Sequence, residues 1–517
     1  MDYDEENMVK MKPRVNIARA TQRTFATARL DPAIRDYVHK LAEYQPCFAM
    51  SSSNVKILRQ PTQFYQQLLD MIRRARKRIF ISSLYVGSEE VELVETLRTA
   101  LHTNQSLQLH MQLDLNRSTR PGPGSTAFLL LPLLKEYPDR VHISLFRSPN
   151  LKGIMAKLVP PRYNEGWGTW HPKIYGVDDE VMISGANLNE SYFSNRQDRY
   201  IHLASQPHFA QYCFDFLQSS AGFSYRLLPP TDPSEPYHLH WPDERVHPHH
   251  TEAKAENTLT KFQDVYRLSS TFRISEGVEL GEGSDTDVLV FPILQAGQFK
   301  VREEERALSL LFDELAQHQE TPRGEGDGAQ YGGPLLDMTT GYFGLYRPYR
   351  DLVLQSPVGC RILCSAPKAN GFYGSRGPSG RLPEGYTLME QRFMKAVRDA
   401  RREWIPPQPG GGQRHPGVQL REWEKEGWTY HAKGLWLRPS PQSNPYLTLF
   451  GSTNLNSRSA TLDTELSFIM VTTSEALQQR LGEEVDGLRD HSRAWQGGER
   501  HVRIGTKFLV SVMGGML

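Results

Sequence analysis

The segment Glu165-Gly-Trp-Gly-Thr-Trp-His171-Pro-Lys173 returns in the second half of the chain as Glu426-Gly-Trp-Thr-Tyr-His431-Ala-Lys433. Other matches keep the same order around it. Upstream, Ser83-Leu-Tyr85-Val-Gly87 is echoed by Thr340-Gly-Tyr342-Phe-Gly344. Downstream, Gly185-Ala-Asn187-Leu-Asn189 is answered by Gly451-Ser-Thr-Asn454-Leu-Asn456, and the acids Asp198 and Glu465 each stand eleven residues past their asparagine. Ordered agreement at several points marks an internal duplication.

Within the first copy, helical and extended patterns take turns. Thr62 is placed to cap a helix whose Phe64, Leu68, Met71, Ile72 and Ala75 share one face. A strand over 78–85 and a helix over 89–101 follow, and Leu107, Leu109, Met111, Leu113 and Leu115 then alternate as a strand requires. This alternation specifies an α/β layered fold. At 517 residues the chain exceeds one ordinary core and accommodates two domains of roughly 200 residues each. Residues 1–50 read as a leader, 51–228 as a first domain, 229–257 as a Pro- and His-rich linker, and 258–517 as a second domain. Gly/Pro-rich stretches at 370–386 and 406–417 read as long loops of the second domain.

Composition narrows the function classes. No run reaches the roughly 18 apolar residues of a spanning helix. A formal charge of +1 argues against nucleic acid as partner, because such domains are usually basic. The cluster Arg73, Arg74, Arg76, Lys77 and Arg78 reads as a solvated helix face running into a strand. Four cysteines are too few for a disulfide scaffold, and Cys360 and Cys364, on one face of a strand, read as buried thiols. The histidines at 238–250 lack the spacing of a metal site. Met1 to Glu6 is acidic, but Asn7 to Leu30 has no acid and spaces Lys10, Lys12, Arg14, Arg19, Arg23 and Arg29 among Ala and Thr. That is the composition of a mitochondrial transit peptide, and equally of a basic leader.

Each repeated unit brings complementary chemistry. An imidazole serves as nucleophile or proton donor near neutral pH. A lysine two residues along a strand shares the histidine's face and offers a point charge to a phosphate oxygen. Asn187 and Asn454 add neutral donors, and Asp198 or Glu465 can fix a histidine tautomer through Nδ1–H. One His-x-Lys alone means little. Two, joined at a pseudo-twofold interface, place His171, Lys173, His431 and Lys433 around one pocket. One histidine can then attack phosphorus while the other protonates the leaving group.

The pattern His171-x-Lys173-xxxx-Asp178, Gly185-Ala-Asn187, His431-x-Lys433 and Gly451-Ser-Thr-Asn454 resembles the phospholipase D superfamily over about residues 50–475. The resemblance implies two duplicated domains, each a mixed β-sheet flanked by helices, with one active site at their interface. It implies His171 as nucleophile, His431 as general acid and then base, and Asp178 as part of the motif. Two departures stand out. Arg438 occupies the second motif's acid position, and Gly-Ala-Asn lacks a serine donor. Ser440 to Tyr446 reads as a hairpin insertion.

Further stretches resemble the eukaryotic mitochondrial phosphatidylglycerophosphate synthases: residues 53–87, Asp114-Leu-Asn-Arg117-Ser-Thr-Arg120, Trp170-His-Pro-Lys-Ile-Tyr175, Gly185 to Phe193, Thr340-Gly-Tyr-Phe343 and Ala369-Asn-Gly-Phe-Tyr373. That family implies CDP-diacylglycerol and glycerol 3-phosphate as substrates, CMP as product, and a peripheral place on the matrix side of the inner mitochondrial membrane. It implies no metal at the reacting phosphorus, with a divalent cation at most stimulatory. Arg117, Arg120 and Lys368 are placed to bind anionic groups, and Tyr85 and Tyr342 to line the pocket. Leu151 to Val159, with Ile154, Met155 and Leu158, is the candidate membrane contact, or else a core segment. The alternative activity is a phosphodiesterase of the same superfamily, hydrolysing lipid or acting like a tyrosyl-DNA phosphodiesterase. A non-catalytic scaffold is disfavoured by retention of both His, both Lys and both acids.

Overall fold

The computed structural model describes residues 24–26, 30–122, 124–161, 163–232, 234–269, 273–275, 286–320, 333–405 and 417–513. Most of the acid-free leader and nearly all of the 406–417 stretch lie outside them.

Two mixed sheets dominate. The first runs His238–His240, Tyr225–Leu228, Val141–Phe146, Gln108–Asp114, Arg78–Ser82, Ile174–Val177, Glu180–Ser184, Tyr200–Leu203, Val55–Leu58. The second runs Ser492–Ala494, Val418–Trp423, Gly359–Ser365, Leu335–Thr340, Gly434–Arg438, Leu447–Gly451, Glu465–Thr472, Val288–Ala296, Val301–Arg302. From Tyr225–Leu228 to Val55–Leu58, each strand of the first sheet has a counterpart in the same place in the second. Both sheets join a parallel run to an antiparallel hairpin at the same point. The duplication read from four short matches therefore extends to the whole topology, and helices flank both sheets.

Local chemistry explains the element ends. The helix Pro61–Arg73 begins with proline at its first position, and Gln60 and Gln63 form a reciprocal capping box. Thr62, expected as the cap, lies inside the first turn, because Pro61 already supplies helical φ one residue earlier. Residues 439–446 form the expected connection between the antiparallel strands Gly434–Arg438 and Leu447–Gly451.

Three segments sit differently from expectation. Within the leader, Pro32–Tyr44 is a helix that buries Ile34, Tyr37, Val38 and Leu41 against Leu308, Leu311 and Leu315 of the second half. At roughly 1.5–3 kcal/mol for each large side chain fully buried, that face is a firm attachment. Phe48–Met50 then pairs with Val288–Val290. The 229–257 stretch contributes the edge strand His238–His240 and the start of the helix Glu252–Leu268. Residues 370–386 fold into a short 3₁₀ turn, Gly377–Arg381, and the first turn of the helix Leu382–Asp399. All four cysteines are free and buried, as expected of thiols with packing roles.

Each half has its own core, and a third cluster spans both. There Phe209, Tyr212 and Phe216 of the helix Pro207–Ala221 and Leu477, Leu481 and Val485 of the helix Glu475–Arg489 pack with Phe80, Trp170, Phe450 and Phe468. A buried ion pair crosses the same boundary. Arg199 meets Glu484 at 2.9 Å, donates to Leu449 O and Thr448 Oγ1, and stacks 3.8 Å from the Trp436 ring.

Arg199→Ala leaves Glu484 buried without its cation and should cost about 3–5 kcal/mol, read as a lower urea midpoint. Arg199→Met combined with Glu484→Leu should recover most of that loss. A loss below about 1 kcal/mol in the single variant would show that this pair does not hold the halves together.

Candidate active site

The two His-x-Lys strands meet at the boundary through a reciprocal exchange of backbone. His171 N–H donates to Thr464 O at 2.9 Å, and Thr464 N–H donates to Thr169 O at 2.9 Å. In the other copy, His431 N–H donates to Gln197 O at 2.8 Å, within the parallel pairing of Thr429–Tyr430 with Arg196–Gln197. Thr464 and Gln197 immediately precede the repeated acids. Each histidine is thereby laid beside the acid of the opposite half. His171 Nδ1 lies 2.8 Å from Glu465 Oε2, and His431 Nδ1 lies 2.7 Å from Asp198 Oδ2.

Glycines permit this close approach. A Cβ on Gly185 would stand 2.5 Å from Asp198 Oδ1, and one on Gly341 would stand 2.8 Å from His431 Cα. Gly168 has φ +118, and a Cβ there would meet Leu462 O of the other half at 2.4 Å. Behind the motifs, Asp114 accepts from the Trp170 N–H at 3.0 Å, and Ser82 accepts from the Trp170 indole at 2.8 Å. The serine missing from Gly-Ala-Asn has a substitute. Ser184 Oγ donates to Arg199 O, as Ser452 Oγ does to Leu466 O, each on the residue after the acid.

The electrostatics of the two histidines differ. Burial lowers His171, while Glu465 opposes that shift. Burial would raise Glu465, yet His171 and Lys173 hold it below the usual carboxylate range, so its negative charge persists. Ser459 Oγ donates to it at 2.7 Å. With Nδ1–H on Glu465, His171 keeps Nε2 as a free lone pair, and no hydrogen bond occupies that nitrogen among the described residues. His431 is depressed further by burial, then by Lys433, Arg196, Lys173 and His171. Asp198 is pushed up to about 6 by burial despite Lys433.

The lysines complete the pocket. Lys433 Nζ lies 3.0 Å and 3.1 Å from the His431 ring nitrogens, and burial brings it down to about 8. Lys173 Nζ donates to His171 O at 2.5 Å, and burial, then Lys433, place it well below its ordinary value. Two buried lysines, one depressed by the other, make a site for an anion. Asn187 donates from Nδ2 to the Tyr192 hydroxyl, and both Asn187 Oδ1 and Asn454 Oδ1 are buried without a partner.

Not every expected residue arrives here. Asp178 stands at the far end of the strand Ile174–Val177, at φ 52, and accepts the N–H groups of Arg76, Lys77 and Arg78 at 2.8–3.0 Å. It clamps the hairpin to the neighbouring strand and does not reach the histidines. Arg120 is ion-paired to Glu165 at 2.5 Å. Arg117 stacks 4.1 Å over the Tyr85 ring. Lys368 is exposed. Tyr342 does line the pocket, its ring centroid 5.4 Å from that of His431. Two neighbours were missed from sequence. The Tyr192 hydroxyl is 3.5 Å from His431 Nε2, and the Arg196 guanidinium lies 4.4 Å over the Tyr192 ring.

No protein-family model matches the chain. Among curated proteins it is 33% identical over 485 residues to the CDP-diacylglycerol–glycerol-3-phosphate 3-phosphatidyltransferase of Schizosaccharomyces pombe, covering 87% of this chain and 91% of that one. The chain belongs to this family. The human mitochondrial member is 32% identical over 464 residues, covering 86% of this chain and 78% of its own length. A probable member from Dictyostelium discoideum is 32% identical and covers 94% of this chain and 81% of its own. Among solved structures, the phosphatidylserine synthase of Haemophilus influenzae Rd KW20 superposes with a TM-score of 0.62 at 19% identity, covering 93% of this chain and 98% of that one. That likeness shows a shared fold over 93% of this chain.

Asp198 also gives a pH signature. Its folded value of about 6 lies above its ordinary 3.8, so the folded chain holds the extra proton between them. Its contribution to stability therefore falls as pH rises from about 4 to about 6. Asp198→Asn should lack that slope, so the difference between variant and parent unfolding midpoints should change with pH across this window. A flat difference curve across this window would refute the raised carboxyl.

Proposed function

We propose that the chain transfers a phosphatidyl group from CDP-diacylglycerol to glycerol 3-phosphate and releases CMP, a step in phosphatidylglycerol and cardiolipin biosynthesis. Family membership supports the reaction. The crossed His171–Glu465 and His431–Asp198 pairs around two buried lysines carry the mechanism. His171 Nε2 attacks the phosphatidyl phosphorus, and the bond from phosphorus to the CMP oxygen breaks. Lys173 and Lys433 hold the non-bridging oxygens. Burial and the neighbouring cations Lys433, Arg196 and Lys173 depress His431, and the incoming anionic donor offsets those cations and favours its protonated form. That proton goes to the leaving oxygen. His431 then takes the proton of the glycerol 3-phosphate hydroxyl, whose oxygen attacks phosphorus as the phosphorus–nitrogen bond breaks.

The lysines supply positive charge at the reacting phosphorus, so a divalent ion is assigned no more than a stimulatory part at the diphosphate or the lipid surface. Chelation should lower the rate only partially. The compartment fits the mitochondrial naming of the chicken, mouse and human relatives and the acid-free leader, with the enzyme on the matrix face of the inner membrane. No described helix is long and apolar enough to cross a membrane. The short helix Gly153–Leu158 supports peripheral contact instead. Ile154 is 75% and Leu158 69% exposed, beside Lys157, an apolar wedge with a cation suited to anionic lipid.

Two measurements test this reading. CMP should be released from CDP-diacylglycerol in detergent over many turnovers only when glycerol 3-phosphate is present, and an acid quench should trap lipid on His171. His171→Ala should abolish product, and His431→Ala should slow transfer by about 10²–10⁴-fold. CMP release beyond one equivalent per chain without the acceptor would instead establish a hydrolase. In a separate assay, Ile154→Asp with Leu158→Asp should weaken sedimentation with cardiolipin-containing vesicles while leaving turnover of detergent-dispersed substrate intact. Unchanged sedimentation would discard this segment as the contact.

A further inference from the structure

Duplication preserves most residues around the shared pocket but inverts one charge. Two positions before Asp198 stands Arg196, and two positions before Glu465 stands Asp463. Both reach the equivalent threonine of the opposite half. Arg196 Nε donates to Thr429 Oγ1 at 2.9 Å, whereas Asp463 Oδ1 accepts from Thr169 Oγ1 at 2.8 Å. Asp463 is neutralised by Arg458 at 2.7 Å. Arg196 has no such counterpart: no carboxylate pairs with it among the described residues.

The surroundings of Arg196 are those of a binding site. Its guanidinium covers Tyr192, whose hydroxyl neighbours His431 Nε2. A Cβ on Gly371 would stand 3.2 Å from both Arg196 Nη2 and the Tyr342 hydroxyl, so a side chain there would press on both groups. Glycine leaves the space between them open. A partly buried guanidinium without a carboxylate is costly unless an anion completes it. Its planar fork suits a phosphate better than a lysine would.

We infer that Arg196, with Tyr192, Tyr342 and the backbone at Gly371, forms a second phosphate subsite on the His431 side of the pocket, for the phosphate that is not attacked. The inference rests on the transferase reading above. In-line displacement with His171 on one side of phosphorus puts both the leaving group and the later acceptor on the other. The phosphate of CMP and the phosphomonoester of glycerol 3-phosphate therefore approach the same side in turn. The equivalent position beside His171 carries Asp463, paired with Arg458, and so presents a carboxylate where Arg196 presents a guanidinium.

The test uses the full chain in detergent with CDP-diacylglycerol, comparing Arg196→Gln and Arg196→Lys with the parent. Arg196→Gln should raise KM for glycerol 3-phosphate by about 10–100-fold, as loss of a charge-assisted contact does. The loss with unphosphorylated glycerol as acceptor should be at least about tenfold smaller than the loss with glycerol 3-phosphate, since both acceptors share the donor step. Arg196→Lys should recover part of the preference for the phosphorylated acceptor. A rise confined to the donor KM would assign the subsite to the CMP phosphate. Equal losses with both acceptors and unchanged KM values would overturn the subsite and leave Arg196 a purely structural residue. Should the parent show no acceptor-dependent CMP release, the transferase reading fails by itself. Calorimetric binding of CMP to parent and Arg196→Gln then decides the subsite separately, with at least tenfold weakening expected and equal affinity overturning it.

Discussion

A catalytic histidine needs a fixed proton on the nitrogen facing away from substrate, and in this chain neither half can provide the acceptor for its own ring. Thr464 and Gln197 pair with the backbone leading into His171 and His431, and the next residue in each case is the acid that holds the opposite imidazole. Two short parallel contacts thus set the boundary, the tautomers and the pocket together. A shift of either contact by one residue would turn the acid to the other face of its strand. The core shared by Phe209, Phe216, Leu477 and Phe468 and the buried Arg199–Glu484 pair keep that register.

On this symmetric frame the chain builds an asymmetric device. In the first half, Asp178 ties the hairpin base to three backbone amides; in the second, Arg438 at the equivalent place bridges Asp337 and Asp486. The two solutions use opposite charges for one mechanical purpose, so losing the motif acid leaves the histidine in position. Near the pocket, the side chain of His171 is 12% exposed against 4% for His431, and it faces a carboxylate that stays ionised. His431 lies among cations instead. On the proposed mechanism, the ring with a free Nε2 lone pair suits attack, and the ring set among cations suits acid–base duty.

The fold was unusually legible because a repeat carries its own control. Matches such as Gly185-Ala-Asn187 with Gly451-Ser-Thr-Asn454 give the same answer twice, and the sheets agree strand for strand. Errors arose where context outweighed local pattern. Thr62 has the right side chain for a cap, but Pro61 already sits in the helix. Residues 32–50 follow a basic leader, yet their apolar face fits the second half of the chain. Leu151 to Val159 is as apolar as a core segment, and only packing shows Ile154 and Leu158 facing outward.

By itself, the sequence determined the duplication, the paired His-x-Lys chemistry and the two repeated acids, since periodicity and residue type depend on order alone. It did not determine which acid serves which histidine. The tertiary structure pairs each histidine with the acid of the opposite half. The reason is geometric: partners chosen across an interface have no sequence separation to reveal them. Arg196 illustrates the same limit, because its importance lies in the carboxylate that its twin position has and it lacks.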